Sequence, residues 1–160
     1  MNLSGEQDAR LGDVRPGTAR TGQSILGTRL RHFQKSEFVF LSKRDLHQLA
    51  DELLAEEDLV VQHCVDFVCA ETEGLWHGRA RALMCRRLKH IALNRKQSTQ
   101  LVECISHRFT TGAFSEQFKD QLRLALSLNA ALVLTSAEKC QTSLVPHVRR
   151  YATWLLNHSV

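Results

Sequence analysis

The residues of this chain that most suggest chemistry are basic, and they lie close together in the sequence. Residues 76–108 carry 8 basic side chains and 1 acidic one, whereas residues 36–75 carry 2 basic and 10 acidic side chains. Clustered cations can follow the phosphates of a nucleic acid, and a nearby tryptophan can stack on a base. The predicted binding surface comprises Trp76, Arg79, Arg86, Arg87, Lys89, His90, Arg95 and Lys96.

The same charges have two other interpretations. The acidic segment 36–75 can neutralise the basic helix within the fold, and exposed ion pairs of that kind contribute only about 0 to 1 kcal/mol each. Alternatively, the charged surface binds an acidic protein partner. Arg87 falls among apolar positions of its helix, between Leu83 and Ile91, so we expect it to be buried and paired with an acid of a neighbouring helix.

Histidines and cysteines are numerous, but their spacing does not indicate a metal site. The sequence has 8 histidines and 5 cysteines, with no C-x-x-C and no H-x-x-x-H pair, although Cys104 and His107 share a helix face. We therefore expect no metal and no cofactor. Because they lie inside apolar helical patterns, we expect free, buried thiols of a reducing compartment at Cys64, Cys69, Cys85, Cys104 and Cys140.

Motifs of common enzyme classes do not occur in the sequence. It contains no glycine-rich phosphate loop, no G-x-S-x-G elbow and no H-E-x-x-H motif. Cys85 lies beside Arg86, whose charge favours a thiolate, but no histidine is placed to act as a base for it. We therefore expect no catalytic residues. Trp154 and Tyr151 either anchor an interface or pack against the last helices.

These candidate residues must be positioned by helices, because apolar side chains recur at helical intervals from Leu41 onwards. At 160 residues, 43% hydrophobic, with 2 prolines and 8 glycines, the chain suits one all-α domain. The predicted capping residues are Ser42 with Asp45 for the first helix and Asn129 for the sixth. Helices are predicted at 43–55, 58–72, 76–93, 97–110, 115–127, 130–140 and 145–158.

The first residues differ in composition from the rest. Residues 1–28 are rich in Gly, Arg, Ser and Thr, which predicts a flexible basic tail before a single helical domain at 29–160. No apolar run has signal-peptide length, and none approaches the roughly 18 to 20 residues that a membrane-spanning helix needs. We therefore expect a cytoplasmic protein that does not enter a membrane.

The last predicted helix carries a spacing that suggests a repeat. Pro146, Val148, Arg149, Ala152 and Leu156 reproduce P-x-V-R-x-x-A-x-x-x-L, which resembles the second helix of a HEAT-type repeat. A looser form of the spacing places arginines equivalent to Arg149 at two earlier positions. The structural repeat positions are then Arg81, Arg123, Pro146 and Arg149.

This resemblance implies a fold as well as a role. It implies a right-handed stack of antiparallel helix pairs, an α-solenoid of about seven helices. In HEAT repeats the arginine commonly pairs with an acid near the turn, and Asp120 is placed to do so for Arg123. A compact orthogonal bundle of the same helices is the alternative architecture.

Solenoids present extended surfaces rather than deep pockets, which favours a non-enzymatic scaffold that binds a protein partner through its charged surface. The second hypothesis is a nucleic-acid-binding module that uses the basic helix 76–96. The acidic and basic ends of the domain also suggest a homo-oligomer joined head to tail.

Overall fold

The computed structural model describes residues 35–114 and 117–158, and all regular secondary structure in this part of the chain is helical. The all-α prediction is confirmed for these residues, while the predicted tail at 1–28 lies outside them. None of the described helices combines the length and the apolar character that crossing a membrane requires. Within the described residues, six α-helices follow one another: α1 Lys43–Glu52, α2 Asp58–Cys69, α3 His77–Leu88, α4 Arg95–Thr111, α5 Phe118–Cys140 and α6 Pro146–Asn157.

Short-range signals determine the ends of α1 and α4. Ser42 Oγ accepts a hydrogen bond from the Asp45 amide at 3.2 Å, and the Asp45 carboxylate accepts one from the Ser42 amide at 3.0 Å. This is the predicted capping box. A second capping box, which was not predicted, joins Asn94 and Gln97 at the start of α4. Gly112 ends α4 with φ of 73°, a left-handed conformation that glycine adopts without strain.

The longest helix, α5, consists of two helical segments joined at Asn129. Asn129 has φ of −155° and ψ of 83°, outside the helical region. Its Oδ1 accepts a hydrogen bond from the Leu132 amide at 3.1 Å, the interaction of an N-cap asparagine. The predicted pair of helices at 115–127 and 130–140 is therefore observed as one kinked helix, and Ser115 lies outside the described residues.

The second and third helices end earlier than predicted. The second ends at Cys69 rather than near Thr72, because Ala70 adopts an extended conformation with ψ of 138°. The third spans His77–Leu88 rather than residues 76–93, and turn hydrogen bonds continue the chain through Lys89 to Ile91. The early end of α2 leaves the carbonyls of its last turn available to donors from other helices.

The helices pack along the chain and also across it. α2 contacts α3 and α4, α3 also contacts α1 and α5, and α5 contacts α4 and α6. One continuous core fills these contacts, and burying each large apolar side chain in it stabilises the fold by about 1.5 to 3 kcal/mol. Fully buried examples from α1 to α5 are Leu46, Phe67, Met84, Ile105 and Leu124.

Candidate functional site: a cleft above two buried arginines

A cleft opens where the loop from α2 to α3 meets the end of α4 and the start of α5. It encloses about 980 Å³, within the range of about 300 to 1,000 Å³ that is usual for ligand sites. Residues 70–76 line it, as do Phe114 and Gln117. Arg81 of α3 and Arg108 of α4 line its base, and we refer to these two side chains as the arginine floor.

Arg81 turns back from α3 toward the loop that precedes this helix. The residue is 8% exposed. Its Nη2 donates to the Ala70 carbonyl at 2.7 Å, the Thr72 carbonyl at 2.9 Å and Thr72 Oγ1 at 2.6 Å. Arg81 Nε is buried and has no hydrogen-bond partner in the described part of the chain. The guanidinium therefore fixes the loop but retains an unused donor.

Arg108 reaches the same loop from α4. It is also 8% exposed. Its Nη1 donates to the Val68 carbonyl and to Gln121 Oε1, and its Nη2 donates to the Ala70 carbonyl at 2.8 Å. The Ala70 carbonyl thus accepts from both arginines. The carbonyls of Val68 and Ala70 both lie at the carboxyl end of α2, which is the negative end of the helix dipole.

The arginine floor carries two positive charges without a contacting carboxylate. Among the described residues, neither Arg81 nor Arg108 forms an ion pair, and their partners are carbonyl, hydroxyl and amide oxygens. Burial, and secondarily the charge of Arg108, lower the pKa of Arg81 from 12.5 to about 10. Arg81 is therefore still charged at neutral pH. An anion in the cleft would reduce the repulsion between the two guanidiniums.

Thr72 connects the arginine floor to His77. Thr72 Oγ1 accepts from Arg81 and lies 2.6 Å from His77 Nδ1. Burial lowers the pKa of His77, against the opposite effect of a hydrogen bond to the Leu41 backbone. A neutral imidazole whose Nδ1 accepts the Thr72 proton satisfies both groups.

The rim of the cleft combines an aromatic ring with cations. Trp76 is half-buried; Lys43 Nζ lies 4.1 Å from its ring centroid and Arg79 Cζ lies 5.1 Å from it. These are cation–π distances, so the two cations are held near the cleft. The same loop carries two exposed glutamates, Glu71 and Glu73.

No family model, curated protein or solved structure matches this chain. The function of the cleft is therefore inferred from its own geometry, and the HEAT-like resemblance remains a prediction. Within residues 35–114 and 117–158, no group of three or more His, Cys, Asp or Glu side chains is arranged to hold a metal ion.

The predicted binding surface is divided among several places. Trp76 and Arg79 lie at the cleft. Arg86 forms an ion pair with Asp120 of α5 instead. The remaining exposed members are Lys89 and His90 in the turn after α3, and Arg95 and Lys96, which line a separate groove along α4.

Arg87 meets the acidic partner that was predicted for it. Its Nη1 lies 2.9 Å from Asp51 Oδ1 of α1. The pairing with an acid of a neighbouring helix is confirmed, and that acid belongs to the acidic segment. The side chain is 23% exposed, so Arg87 is only partly buried.

The arginines of the predicted repeat share a position near the start of a helix but differ in environment. Arg81 is buried on carbonyls of the loop before α3. Arg149 is exposed and donates to the Ser143 carbonyl in the loop before α6. Arg123 pairs with Asp120 at 3.3 Å, the partner predicted for it. Pro146 is the first residue of α6. At this position a backbone N–H has no partner within the helix, so proline removes no helical hydrogen bond.

The two aromatic residues near the carboxyl terminus pack against α5. The Tyr151 ring contacts the Phe118 ring edge-on, with centroids 6.1 Å apart. Trp154 lies beneath Lys119 Nζ, 4.8 Å from the ring centroid, and Arg123 Cζ, 5.8 Å from it. Both aromatic residues are half-buried. Packing of these rings is thus observed, and their use as interface anchors stays a prediction.

The five cysteines are free, as predicted, but they differ in burial. The three buried thiols are those of Cys64, Cys85 and Cys140. Cys69 and Cys104 are half-buried, which corrects the prediction that all five are buried, because both face the groove along α4.

Arg108, the second arginine of the floor, was not among the predicted site residues. A signal for its burial exists, because Arg108 follows Leu101 and Ile105 at helical intervals on the apolar face of α4. Its hydrogen-bond partners were not predictable from spacing, since Val68 lies 40 residues earlier in the chain.

Proposed function

We propose that this chain is a non-enzymatic helical scaffold that binds an acidic segment of a protein partner in the cleft. The observation that carries the proposal is the arginine floor: two guanidiniums, each 8% exposed, without an ion pair among the described residues. Carbonyl oxygens accept several of their hydrogen bonds but do not neutralise their charge. A carboxylate of the partner supplies the missing negative charge.

The proposed architecture is a two-layer stack of helix pairs, as the HEAT-like resemblance implies. Contacts of α1 with α3 and of α3 with α5 support one layer, and the contact of α2 with α4 supports the other. In an antiparallel stack, the end of α2, the start of α3, the end of α4 and the start of α5 meet at one edge. The cleft lies among these helix ends, so it belongs to the edge of the stack.

The rim supplies contacts that a peptide needs in addition to charge. Leu75 is 89% exposed and lies beside the half-buried Trp76. Aromatic and aliphatic side chains of this kind anchor interfaces, while cations such as Arg79 guide acidic residues during association.

A peptide fits this site better than a nucleic acid does. A nucleic acid needs a continuous track of cations along its phosphates, whereas the predicted basic residues are divided between the cleft, Asp120 and the groove along α4.

Tryptophan fluorescence tests the proposal at the site itself. The chain contains 2 tryptophans, and of these Trp76 lines the cleft. In the Trp154→Phe variant, Trp76 is the single tryptophan, so a change in tryptophan emission reports on the cleft. A glutamate-rich peptide that includes leucine is expected to change its emission saturably at low salt, and added salt is expected to weaken the binding.

A charge-reversal pair locates the binding. Arg79→Glu at the rim is expected to weaken peptide affinity about tenfold, equivalent to about 1.4 kcal/mol. Arg150→Glu is the matched control, because Arg150 is exposed on α6 and does not line the cleft. The proposal fails if the peptide leaves the Trp76 emission unchanged, or if both variants weaken binding equally. Tighter binding of a single-stranded oligonucleotide of equal charge would instead support the nucleic-acid hypothesis.

A further inference from the structure

Two cysteine side chains from different helices meet outside the cleft. Cys69, the last residue of α2, and Cys104 of α4 place their sulfur atoms 2.7 Å apart, although the residues are 35 positions apart in sequence. The distance is shorter than an ordinary van der Waals contact between two sulfur atoms. A disulfide bond of about 2.05 Å needs a further approach of only about 0.7 Å.

The pair is accessible from solvent. Both cysteines line an open groove of about 910 Å³ along α4. Arg95 and Lys96 lie on the same groove, together with His107. A small oxidant can therefore reach these sulfur atoms without unfolding the core, whereas Cys64 and Cys85 are each 0% exposed.

The surroundings distinguish the two thiols from one another. The hydrogen bond from Cys69, and then the charges of Arg108 and Arg81, lower the pKa of Cys104 against the opposing effect of burial. The contact with Cys104 raises the pKa of Cys69, and burial raises it further. Cys104 is therefore the more readily deprotonated thiol of the pair.

The remaining cysteines serve as internal controls. Burial raises the pKa of the thiols of Cys64, Cys85 and Cys140. Buried thiols of this kind are poor nucleophiles because little thiolate forms. Oxidation confined to one pair out of five cysteines would therefore reflect the local structure and not a general sensitivity of the chain.

We propose that Cys69 and Cys104 form a redox-active dithiol, a modification site at which a hydroperoxide converts the two thiols into a disulfide between α2 and α4. Hydrogen peroxide is the simplest oxidant of this class. Both cysteines line the groove along α4, and the proposal does not depend on the peptide binding proposed above.

The reaction proceeds in two balanced steps. The Cys104 thiolate attacks one peroxide oxygen, an S–O bond forms, the O–O bond breaks, and hydroxide leaves and takes up a proton to become water. The Cys104 sulfur is now a sulfenic acid. The Cys69 sulfur then attacks it, the S–S bond forms, the S–O bond breaks, and the oxygen leaves as a second water with the Cys69 proton. Two thiols are oxidised and one peroxide is reduced to two waters.

Mass spectrometry of the full chain tests this proposal. One equivalent of hydrogen peroxide is expected to remove two hydrogen atoms from the intact protein, and dithiothreitol is expected to restore them. Tryptic peptide Gln97–Arg108 contains Cys104 as its single cysteine. It should be found joined to the peptide that contains Cys69, and chymotryptic cleavage after Phe67 separates Cys69 from Cys64.

Three variants assign the roles of the two sulfurs. In Cys69→Ser, the sulfenic acid on Cys104 cannot be resolved, so dimedone should label Cys104. In Cys104→Ser, the label and the disulfide should both be lost, whereas Cys140→Ser should oxidise like the wild type. An unchanged wild-type mass at one equivalent of peroxide would overturn the proposal, as would cross-links that use Cys64, Cys85 or Cys140. Dimedone on Cys69 rather than Cys104 would overturn the assignment of roles.

Discussion

Two groups of arginines in this chain carry the same charge in opposite environments. Arg81 and Arg108 are each 8% exposed and donate to backbone carbonyls. The side chains of Arg86 and Arg123 are 55% and 53% exposed, and both pair with Asp120. Water and one carboxylate satisfy the exposed pair, while the buried pair holds a loop in place and faces the cleft. The number of charged residues in a sequence segment does not distinguish these two groups of arginines, whereas the burial of each side chain does.

The comparison also predicts unequal energies. An exposed ion pair contributes about 0 to 1 kcal/mol to stability. Removing a buried donor leaves its acceptors without that hydrogen bond. Each acceptor left unsatisfied lowers the free energy of unfolding by about 1 to 3 kcal/mol. The buried arginines therefore matter for folding as well as for binding, and the variants below separate the two groups.

The largest effect is expected for Arg108→Met. This change removes the donor to the carbonyls of Val68 and Ala70 and to Gln121. We expect the free energy of unfolding to fall by about 3 to 5 kcal/mol, measured by urea denaturation followed by circular dichroism. Arg86→Met is the matched control and should cost less than about 1 kcal/mol. Equal losses in the two variants would remove the distinction between the groups.

A smaller effect is expected for Gly74→Ala in the loop that the arginine floor holds. A Cβ atom at this position would lie 2.5 Å from the His77 ring. Because the ring is also held by Thr72, we expect a loss of about 1 to 3 kcal/mol in the free energy of unfolding. Gly78→Ala, on the helical backbone of α3, should instead raise stability by about 0.5 to 1 kcal/mol. An unchanged free energy of unfolding in Gly74→Ala would show that the loop is free to move.

A pH-dependent effect is expected from His77. Its pKa in the fold lies below the ordinary value of 6.5 because of burial. The unfolded chain therefore binds the proton more readily, and the free energy of unfolding should decrease as the pH falls below 6.5 toward the folded-state pKa. The His77→Asn variant should show a smaller decrease in urea midpoints over the same acidic range. Identical pH profiles for variant and wild type would contradict a neutral buried imidazole.

The smallest effect is expected for Arg149→Ala. Arg149 is exposed and makes one hydrogen bond, to the Ser143 carbonyl. We expect a loss of about 0.5 to 1 kcal/mol, the net contribution of one such bond. A loss as large as that of Arg108→Met would give Arg149 the buried role that repeat stacking requires.

Local signals made most of the fold predictable. The capping box of Ser42 and Asp45, the cap at Asn129 and the glycine exit at Gly112 each involve residues within a few positions of one another. Helical spacing of apolar residues identified the six α-helices of the described residues, with errors of a few residues at their ends, but divided α5 into two. The pairing of Arg87 with an acid was also predictable, because a partly buried charge needs a partner.

The candidate site was predicted only in part. Trp76 and Arg79 were identified from their position in the basic segment, and both lie at the rim. The arginine floor depends on contacts between residues far apart in the chain, such as Arg108 with Val68. Cys69 and Cys104, which contact each other, are likewise far apart in the sequence. Spacing within one helix carries no information about which neighbouring helix a side chain will meet.

Arginine side-chain NMR shows whether an acidic peptide binds at the arginine floor. Arg81 and Arg108 line the cleft, so the Nε–H resonances of these two side chains report on binding there. On titration with the glutamate-rich peptide at low salt, we predict saturable shifts of the Arg81 and Arg108 Nε–H resonances and an unchanged Arg123 resonance. Shifts at Arg123 with none at Arg81 and Arg108 would show that the peptide binds the exposed cations, and would contradict the role proposed for the buried pair.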